Sequence, residues 1–405
     1  MKKRVLFLLT QDLTSPSGLG RYLPMSKGFA ASGWDLWIAA LHGDYGNLDQ
    51  KRLLVDGVRV EYVAQMHVDK KGNRTKYFGP LKLIWRALQG TISLYKACLR
   101  ARPDLIVIGK PHPMNSLAAL AYRLFHPCKL VLDCDDLESE SNFIQHEIYR
   151  KILAFFEKQV PQNADLVTTN TQLNLERMVK VGLPASKLVY LPNGVDLERF
   201  PDIPESETLA LRQQLALGDA PVIGYVGSMN LANHSVDLLL QAFAVAYKDR
   251  PDVRLLLVGG GKDLDNIRTL ARDLDIDGAT IAVGRVDPSE VNSYTRICNI
   301  AVDPVRDSMA ERGRCPLKIF EAWAAGVPFV TMDVGDRRLL AGDPPAVVLT
   351  DESPVRFAET LLSLLDDFVL QAELKRRMAA RRDDISWDSR MKSALPPIEA
   401  LIENE

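Results

Sequence analysis

Lys318 and Glu321 stand one helical turn apart in RCPLKIFEAWAAGVPFV, residues 314–330. The spacing predicts a loop, a short helix and a buried strand. The helix would start at Pro316, where a missing N–H costs nothing, because first-turn donors have no intrahelical acceptor. It would stop at Gly326, a common left-handed terminus. Leu317, Phe320 and Ala324 share its apolar face. Two readings of Lys318 and Glu321 are open. One is a solvated i,i+3 pair worth about a few tenths of a kcal/mol. The other is a nucleotide site. A helix N-terminus offers free N–H groups and partial positive charge to a diphosphate. Lys318 would add a full charge, and Glu321 would accept two hydrogen bonds from a ribose diol.

Four more stretches carry candidate chemistry. SGLGRY, residues 17–22, brings Gly18 and Gly20 to a turn, but Leu23 stands where a dinucleotide fingerprint needs its third glycine. The turn serves either close approach of a ligand or plain chain reversal. GGGK, 259–262, lacks the Ser or Thr of a phosphate loop, since Asp263 follows. DCDD, 133–136, is either a strand-end loop with helix-capping acids, the reading preferred here, or a pair for a divalent cation. KPHP, 110–113, holds His112 just past a strand end, as polar surface or as a site residue.

Length and composition bound the rest. The chain has 405 residues, enough for two or three domains with good cores. Its net charge of −2 speaks against a nucleic-acid partner. Cys98, Cys128, Cys134, Cys298 and Cys315 form no CxxC, so neither a zinc ribbon nor a disulfide framework is indicated, which fits a reducing compartment. The apolar run Val5–Leu9 is short for a signal peptide and reads as a first buried strand. No run approaches the length of a membrane span.

These residues must be positioned by alternating elements. Strand candidates are Arg4–Thr10, Leu36–Leu41, Val58–Val63, Leu105–Gly109, Leu130–Cys134, Leu166–Thr169 and Leu188–Leu191. Helical patterns lie between them at Tyr22–Ala31, Leu81–Arg100, Asn115–Phe125, Phe143–Val160 and Gln172–Val181. After the proline-rich 191–207 the alternation restarts with strands at Val222–Gly227, Leu255–Val258, Thr280–Val283, Ile300–Val302, Val327–Met332 and Ala346–Leu349. DPSE, 287–290, has the pattern of a capped helix start. Short apolar strands between helices imply parallel sheets covered on both faces. The expected fold is thus α/β, with two tandem doubly wound Rossmann-like domains facing a cleft. The first spans 1–200, with a C-terminal helix 386–405 packing back on it, and the second spans 201–385. Open α/β sheets bind ligands beyond the carboxyl ends of their strands. The helix at 316 follows the strand Ile300–Val302, so its N-terminus belongs at that edge. This placement favours the nucleotide reading.

LPNGVDLERF (191–200), VIGYVGSM (222–229), VGRVDPSEVNSYTRICNIAVDPV (283–305) and PLKIFEAWAAGVPFV (316–330) together resemble the family 4 retaining glycosyltransferases of GT-B architecture. The resemblance covers nearly the whole chain, although the first half matches mainly in layout. It implies that the N–H groups near Pro316, Leu317 and Lys318 receive a donor diphosphate and that Glu321 holds the ribose. It implies that Arg285 and Val286 border the base, with Gly284. Gly18 and Gly20, with Gly227 and Ser228, would approach the donor, and His112 would lie near the transferred sugar. Two departures stand out. Gly313 replaces an acidic residue that the family usually has eight positions before Glu321, and Glu311 lies two residues further back. The family's Arg and Lys after the strand at 222 are replaced by SMNLANHS, which leaves Arg306, Arg312, Arg314 or Lys318 to supply charge.

The sequence therefore suggests a retaining glycosyltransferase, with His112, Lys318 and Glu321 as catalytic candidates. It would use a nucleotide-diphosphate sugar and a glycan or lipid-linked acceptor, in cell-surface polysaccharide or glycolipid synthesis. No metal or other cofactor is expected. The rivals are a sugar-nucleotide epimerase of the same fold, which needs a cluster of carboxylates at the sugar, and a two-domain sugar-binding protein, which needs an export signal. The segment 70–102 has nine Lys and Arg, no acid, and interleaved Tyr77, Phe78, Leu81, Ile84 and Trp85. It reads as a solvated helix face or as a patch for an anionic membrane surface. The expected location is the cytoplasm, at the inner face of the membrane if that patch docks.

Overall fold

A computed structural model describes residues 2–71, 74–140 and 147–403. The chain divides into two compact units. The first gathers Met1–Gly194, Gly313–Cys315 and Trp387–Glu405; the second holds Val195–Arg312 and Pro316–Ser386.

Among its described residues, the first unit contains ten strands: β1 (Arg4–Leu9), β2 (Asp35–His42), β3 (Arg52–Val55), β4 (Val58–Gln65), β5 (Val68–Lys71), β6 (Arg74–Tyr77), β7 (Leu105–Gly109), β8 (Lys129–Cys134), β9 (Leu166–Thr169) and β10 (Leu188–Tyr190). Eight of them form one sheet in the order β10-β9-β8-β7-β1-β2-β4-β3, parallel except for the edge strand β3. Alternation on β1 explains the two layers. Val5, Phe7 and Leu9 enter one core, while Leu6 and Leu8 enter the core on the opposite face. The helix Trp387–Glu403 closes the first core with Trp387, Met391, Ala394 and Ile398. It packs on the helix Leu23–Ala31, where Gly28 leaves room for Met391.

The second unit has six parallel strands: β11 (Val222–Val226), β12 (Arg254–Val258), β13 (Thr280–Gly284), β14 (Ile300–Asp303), β15 (Phe329–Met332) and β16 (Val348–Thr350). Their order is β13-β12-β11-β14-β15-β16. The order reverses direction between β11 and β14, the kind of switch point where such sheets take ligands.

Both sheets match the expected α/β class, and their strands sit within a residue or two of expectation, with three kinds of difference. The hairpin β3–β4 was not anticipated, although Asp56 and Gly57 take φ of 48° and 78°, the left-handed pair that a two-residue hairpin turn requires. Nor were the β5–β6 hairpin and the helices Glu205–Gln214 and Phe368–Ala380. The helix expected at 143–160 runs over Glu147–Asn163, and 143–146 lie outside the described residues. DPSE was expected to open a helix at Pro288, but the helix runs over Val291–Arg296 with Glu290 as an N-cap that makes no side-chain bond, and DPSE itself forms the turn before it. Asp287 accepts from the Ser289 N–H at 2.9 Å while Glu290 accepts from the Asp287 N–H at 3.0 Å. Among the described residues, no helix is long and apolar enough to cross a membrane.

Candidate functional site

In the second unit the helix runs over Leu317–Ala325, with Pro316 as its N-cap and Gly326 left-handed at φ 69°. The sequence placed Pro316 inside the helix; its ψ of 123° puts it just outside. Pro316 has no polar side chain to cap the helix, and among the described residues no side-chain bond to its first turn is seen. Its first-turn N–H groups thus lack intrahelical acceptors. Chain order and side-chain contact fix where they lie. The helix connects β14 to β15, and Lys318 Nζ reaches Asp303, the last residue of β14, at 3.0 Å. The N-terminus is therefore at the carboxyl edge of the sheet, beside the switch point.

Lys318 is less free than its sequence position suggested. Its ammonium lies 5.3 Å from the Tyr225 ring centroid and pairs with buried Asp303, whose second oxygen receives Arg337 at 3.3 Å. Arg337 also pairs with Glu311 at 3.2 Å. Burial lowers the Lys318 pKa, but Asp303 outweighs it, so the ammonium is held firmly charged. Burial pushes Asp303 up, yet Lys318 and Arg337 bring it down to about 2. Two cations thus face two carboxylates. The uncompensated positive end at this edge is the helix terminus itself.

Glu321 is the counterexample. Half-buried one turn along, it has no hydrogen-bond partner among the described residues. Burial raises its pKa against the opposing pull of Arg199 and Lys318. A carboxylate with open lone pairs here suits a ligand diol.

Gly227, at the end of β11, lets Lys318 pass: a Cβ there would stand 2.5 Å from Lys318 Cε. Ser228 offers its carbonyl to the Tyr225 hydroxyl at 3.1 Å. The glycines of GGGK have an internal reason. A Cβ on Gly259 would strike the Gly227 carbonyl oxygen, and one on Gly261 would lie 2.2 Å from that of Met229. Arg285 is exposed and Val286 half-buried, directly after β13 and Gly284, which takes φ 86°. Like Lys318, two more of the basic replacements are engaged by carboxylates. Arg306 is bidentate on Asp237 at 2.9 and 2.8 Å, and Arg312 pairs with Asp307 at 2.5 Å. Arg314 is half-buried in the short stretch that packs with the first unit.

In the first unit the carboxyl edge of β1, β7 and β8 carries a buried charge network. Arg21 grips Asp133 through two bonds of 2.7 and 2.5 Å and donates to Asn193 at 2.8 Å. Thr168 donates to Asp133 at 2.6 Å. Lys110, left-handed at φ 66°, reaches Asp136 at 2.9 Å, Glu138 at 2.6 Å and Asp135 at 3.5 Å. The acids of DCDD therefore pair with Arg21 and Lys110 instead of capping a helix. His112 Nδ1 is 2.6 Å from Thr10 Oγ1, and Nε2 is 3.6 Å from Glu138, beyond hydrogen-bond reach. His67 lies near His112; burial first, then the charges of His112 and Lys70, bring it down to about 4. Gly18 is explained locally, since a Cβ would lie 2.3 Å from the Asp12 carbonyl oxygen. The Gly20 carbonyl accepts from the Trp387 indole at 2.8 Å. Arg21, Lys110, Thr10, His67 and Glu138 were missed in the sequence, for none forms a motif with its partners.

The structure thus groups Pro316, Leu317, Lys318, Glu321, Gly227 and Ser228 within one unit, and His112, Gly18 and Gly20 within the other. Family comparison gives two matches. The Glycosyltransferase Family 4 model matches residues 21–199, and the Glycosyl transferases group 1 model matches 220–367. The chain thus carries a Glycosyltransferase Family 4 domain followed by a Glycosyl transferases group 1 domain. A GDP-mannose-dependent alpha-(1-6)-phosphatidylinositol monomannoside mannosyltransferase of Mycolicibacterium smegmatis is 27% identical over 43% of this chain and 45% of its own length. A D-inositol 3-phosphate glycosyltransferase of Kineococcus radiotolerans is 26% identical over 59% of this chain and 58% of its own length. The chain spans about half the length of the curated relatives it matches. Among solved structures, sucrose-phosphate synthase from Thermosynechococcus elongatus shares the fold, with a TM-score of 0.80 at 17% identity over the full length of both chains.

Proposed function

We propose that this protein is a retaining glycosyltransferase, moving a sugar from a nucleotide-diphosphate sugar to a glycan or lipid-linked acceptor in cell-surface polysaccharide or glycolipid synthesis. The observation that carries the reading is the uncapped helix Leu317–Ala325 at the carboxyl edge of β14, with unpartnered Glu321 one turn in. The N–H groups near Leu317 and Lys318 receive the diphosphate, and Glu321 accepts from the ribose hydroxyls. The acceptor hydroxyl attacks the anomeric carbon on the face the diphosphate leaves. The new C–O bond forms as the sugar–phosphate bond breaks, and the departing phosphate oxygen takes the hydroxyl proton. No strong protein nucleophile is required; the chain supplies proximity and charge stabilisation. His112, held at Nδ1 by Thr10 and with Nε2 3.6 Å from Glu138, would turn Nε2 to a sugar hydroxyl. The GDP-mannose dependence and lipid acceptor in the name of the M. smegmatis relative support donor and acceptor classes of this kind. The basic segment 70–102 would bring the enzyme to an anionic membrane surface. An epimerase would need free carboxylates at the sugar, whereas those of DCDD are paired.

The test mixes a panel of sugar nucleotides with glycan and lipid-linked acceptors, follows nucleoside diphosphate release, and reads the configuration of the product by NMR. Release with a retained anomeric configuration is expected. Inversion would overturn the retaining assignment. Unchanged donor affinity in Glu321→Ala, read by tryptophan fluorescence, would overturn the helix as donor site.

A further inference from the structure

The helix Pro80–Ala101 shows three faces. Gly90, Leu94, Ala97 and Cys98 are buried. Leu81, Ile84, Trp85, Leu88 and Ile92, at steps of three and four, are exposed; Leu81 is 85% and Trp85 64% accessible. Beside this stripe, again at steps of three and four, run Ser93, Lys96 and Arg100. They form one wall of an open depression of about 600 Å³, whose other wall includes Tyr45, Lys51, Arg52 and Glu61. Four cations and one carboxylate line it. Glu61 is already shared, taking Arg52 at 3.1 Å and Arg100 at 2.8 Å. Lys51 sits 4.3 Å over the Tyr45 ring, and among the described residues neither Lys51 nor Lys96 has a carboxylate partner.

We propose that this depression seats the phosphate of an anionic lipid headgroup while the neighbouring stripe enters the membrane interface. The proposal rests on the membrane reading given above and deepens it by naming the seat. The order of the faces selects the occupant. An apolar stripe flanked on one side by cations matches the acyl boundary below and the phosphate level beside it. The absence of Asp and Glu from 70–102 removes any repulsion of an anionic surface by that segment itself.

The test is co-sedimentation of the full chain with phosphatidylcholine vesicles, with and without phosphatidylglycerol. Lys51→Ser with Lys96→Ser empties the seat; Lys82→Ser with Arg86→Ser removes the same charge from the same helix outside it. Wild type is expected to bind only the anionic vesicles. The seat pair should weaken binding by about tenfold or more, and the outer pair by clearly less. Trp85→Ser with Leu88→Ser should weaken it as well. All these residues are exposed or half-buried, and thermal unfolding checks that each variant is folded. Equal losses from the two charge pairs would overturn the seat, leaving diffuse attraction. Soluble glycerol phosphate binding the chain as tightly as the vesicles do would overturn a lipid in favour of a free anion. Absence of wild-type binding at low salt would overturn seat and membrane reading together. Donor binding, read by tryptophan fluorescence, is expected to persist in all variants, so the donor reading is judged separately.

Discussion

At the carboxyl edge of β1, β7 and β8, buried Arg21, Lys110, Asp133 and Asp135 answer one another. At that of β14, the open groups are backbone N–H donors and one carboxylate that has no hydrogen-bond partner among the described residues. Both edges hold charge out of water, but they use it differently. A network of side chains spends its bonding capacity on itself, and breaking it leaves uncompensated buried charge. A helix N-terminus cannot satisfy its own first turn, so it stays available to an anion. The second edge is therefore the donor seat we propose, and the first the better anchor. Mutations at the first should cost mainly stability and at the second mainly activity.

The largest expected effect is at the anchor. Arg21→Ala strips Asp133 of two bonds, Asn193 of one, and removes a guanidinium 5.6 Å from the Trp387 ring centroid. It should cost about 5 kcal/mol of unfolding free energy, the upper end for breaking a buried pair. Denaturant melts that moved by less than about 1 kcal/mol would show that this network carries little stability.

Next comes Glu321→Ala. Loss of two charged hydrogen bonds to a ribose amounts to roughly 3–5 kcal/mol, about a hundredfold to a few thousandfold in kcat/KM. The fold should survive, because no partner is stranded. Burial holds the Glu321 carboxyl above its ordinary value of 4.5, so on acidification the accepting form is lost at a higher pH than for an exposed glutamate. Donor affinity should fall as pH drops into that raised range, and Glu321→Gln should abolish this dependence. Full activity of the alanine variant would break the comparison outright.

Two glycines sharpen it at smaller scale. Gly18→Ala meets backbone, the Asp12 carbonyl oxygen at 2.3 Å and Leu13 Cα at 2.6 Å, and should cost about 1–3 kcal/mol of stability. Gly227→Ala meets side chains only, the flexible end of Lys318 at 2.5 Å and the ring end of buried Tyr225 at 2.8 and 2.9 Å. It should cost less stability than Gly18→Ala but lose about tenfold in kcat/KM as the lysine is displaced from the first turn. The reverse pattern in melts and kinetics would contradict the assignment of anchor and seat.

How far each edge was legible follows from how local its chemistry is. The helix Leu317–Ala325 was readable because Pro316, Lys318, Glu321 and Gly326 lie within eleven residues and follow the pattern of a short capped helix. What spacing concealed there was Asp303, fifteen positions back on β14, which takes the Lys318 charge. The anchor was unreadable because Arg21 and Asp133 are 112 positions apart and meet only when β1 and β8 flank β7. Gly18 shows a related effect. A glycine after a first strand reads as close approach of a ligand or as plain chain reversal, and here its own loop fills the space a Cβ would need. Most strands were legible from their apolar runs, but β3 was not. As an exposed edge it lacks such a run, and its signal is the Asp56-Gly57 turn.

The smallest expected effect concerns a divalent cation, and it follows from how the acids of the first edge are used. A metal carrying a diphosphate needs carboxylate oxygens with free lone pairs and room around them. In DCDD, Asp133 gives both oxygens to Arg21 and also takes Thr168, while Asp135 takes Asn170 at 3.0 Å and Asp136 takes Lys110. A cation entering there would have to displace Arg21 or Lys110, each held charged by the same acids. At the second edge, a helix terminus neutralises phosphate oxygens without a metal. Nucleoside diphosphate release should therefore stay within about twofold when excess chelator is added. Loss of turnover in chelator with recovery on adding manganese or magnesium would reverse the assignment, making the first edge a metal seat whose ion pairs open to admit the cation.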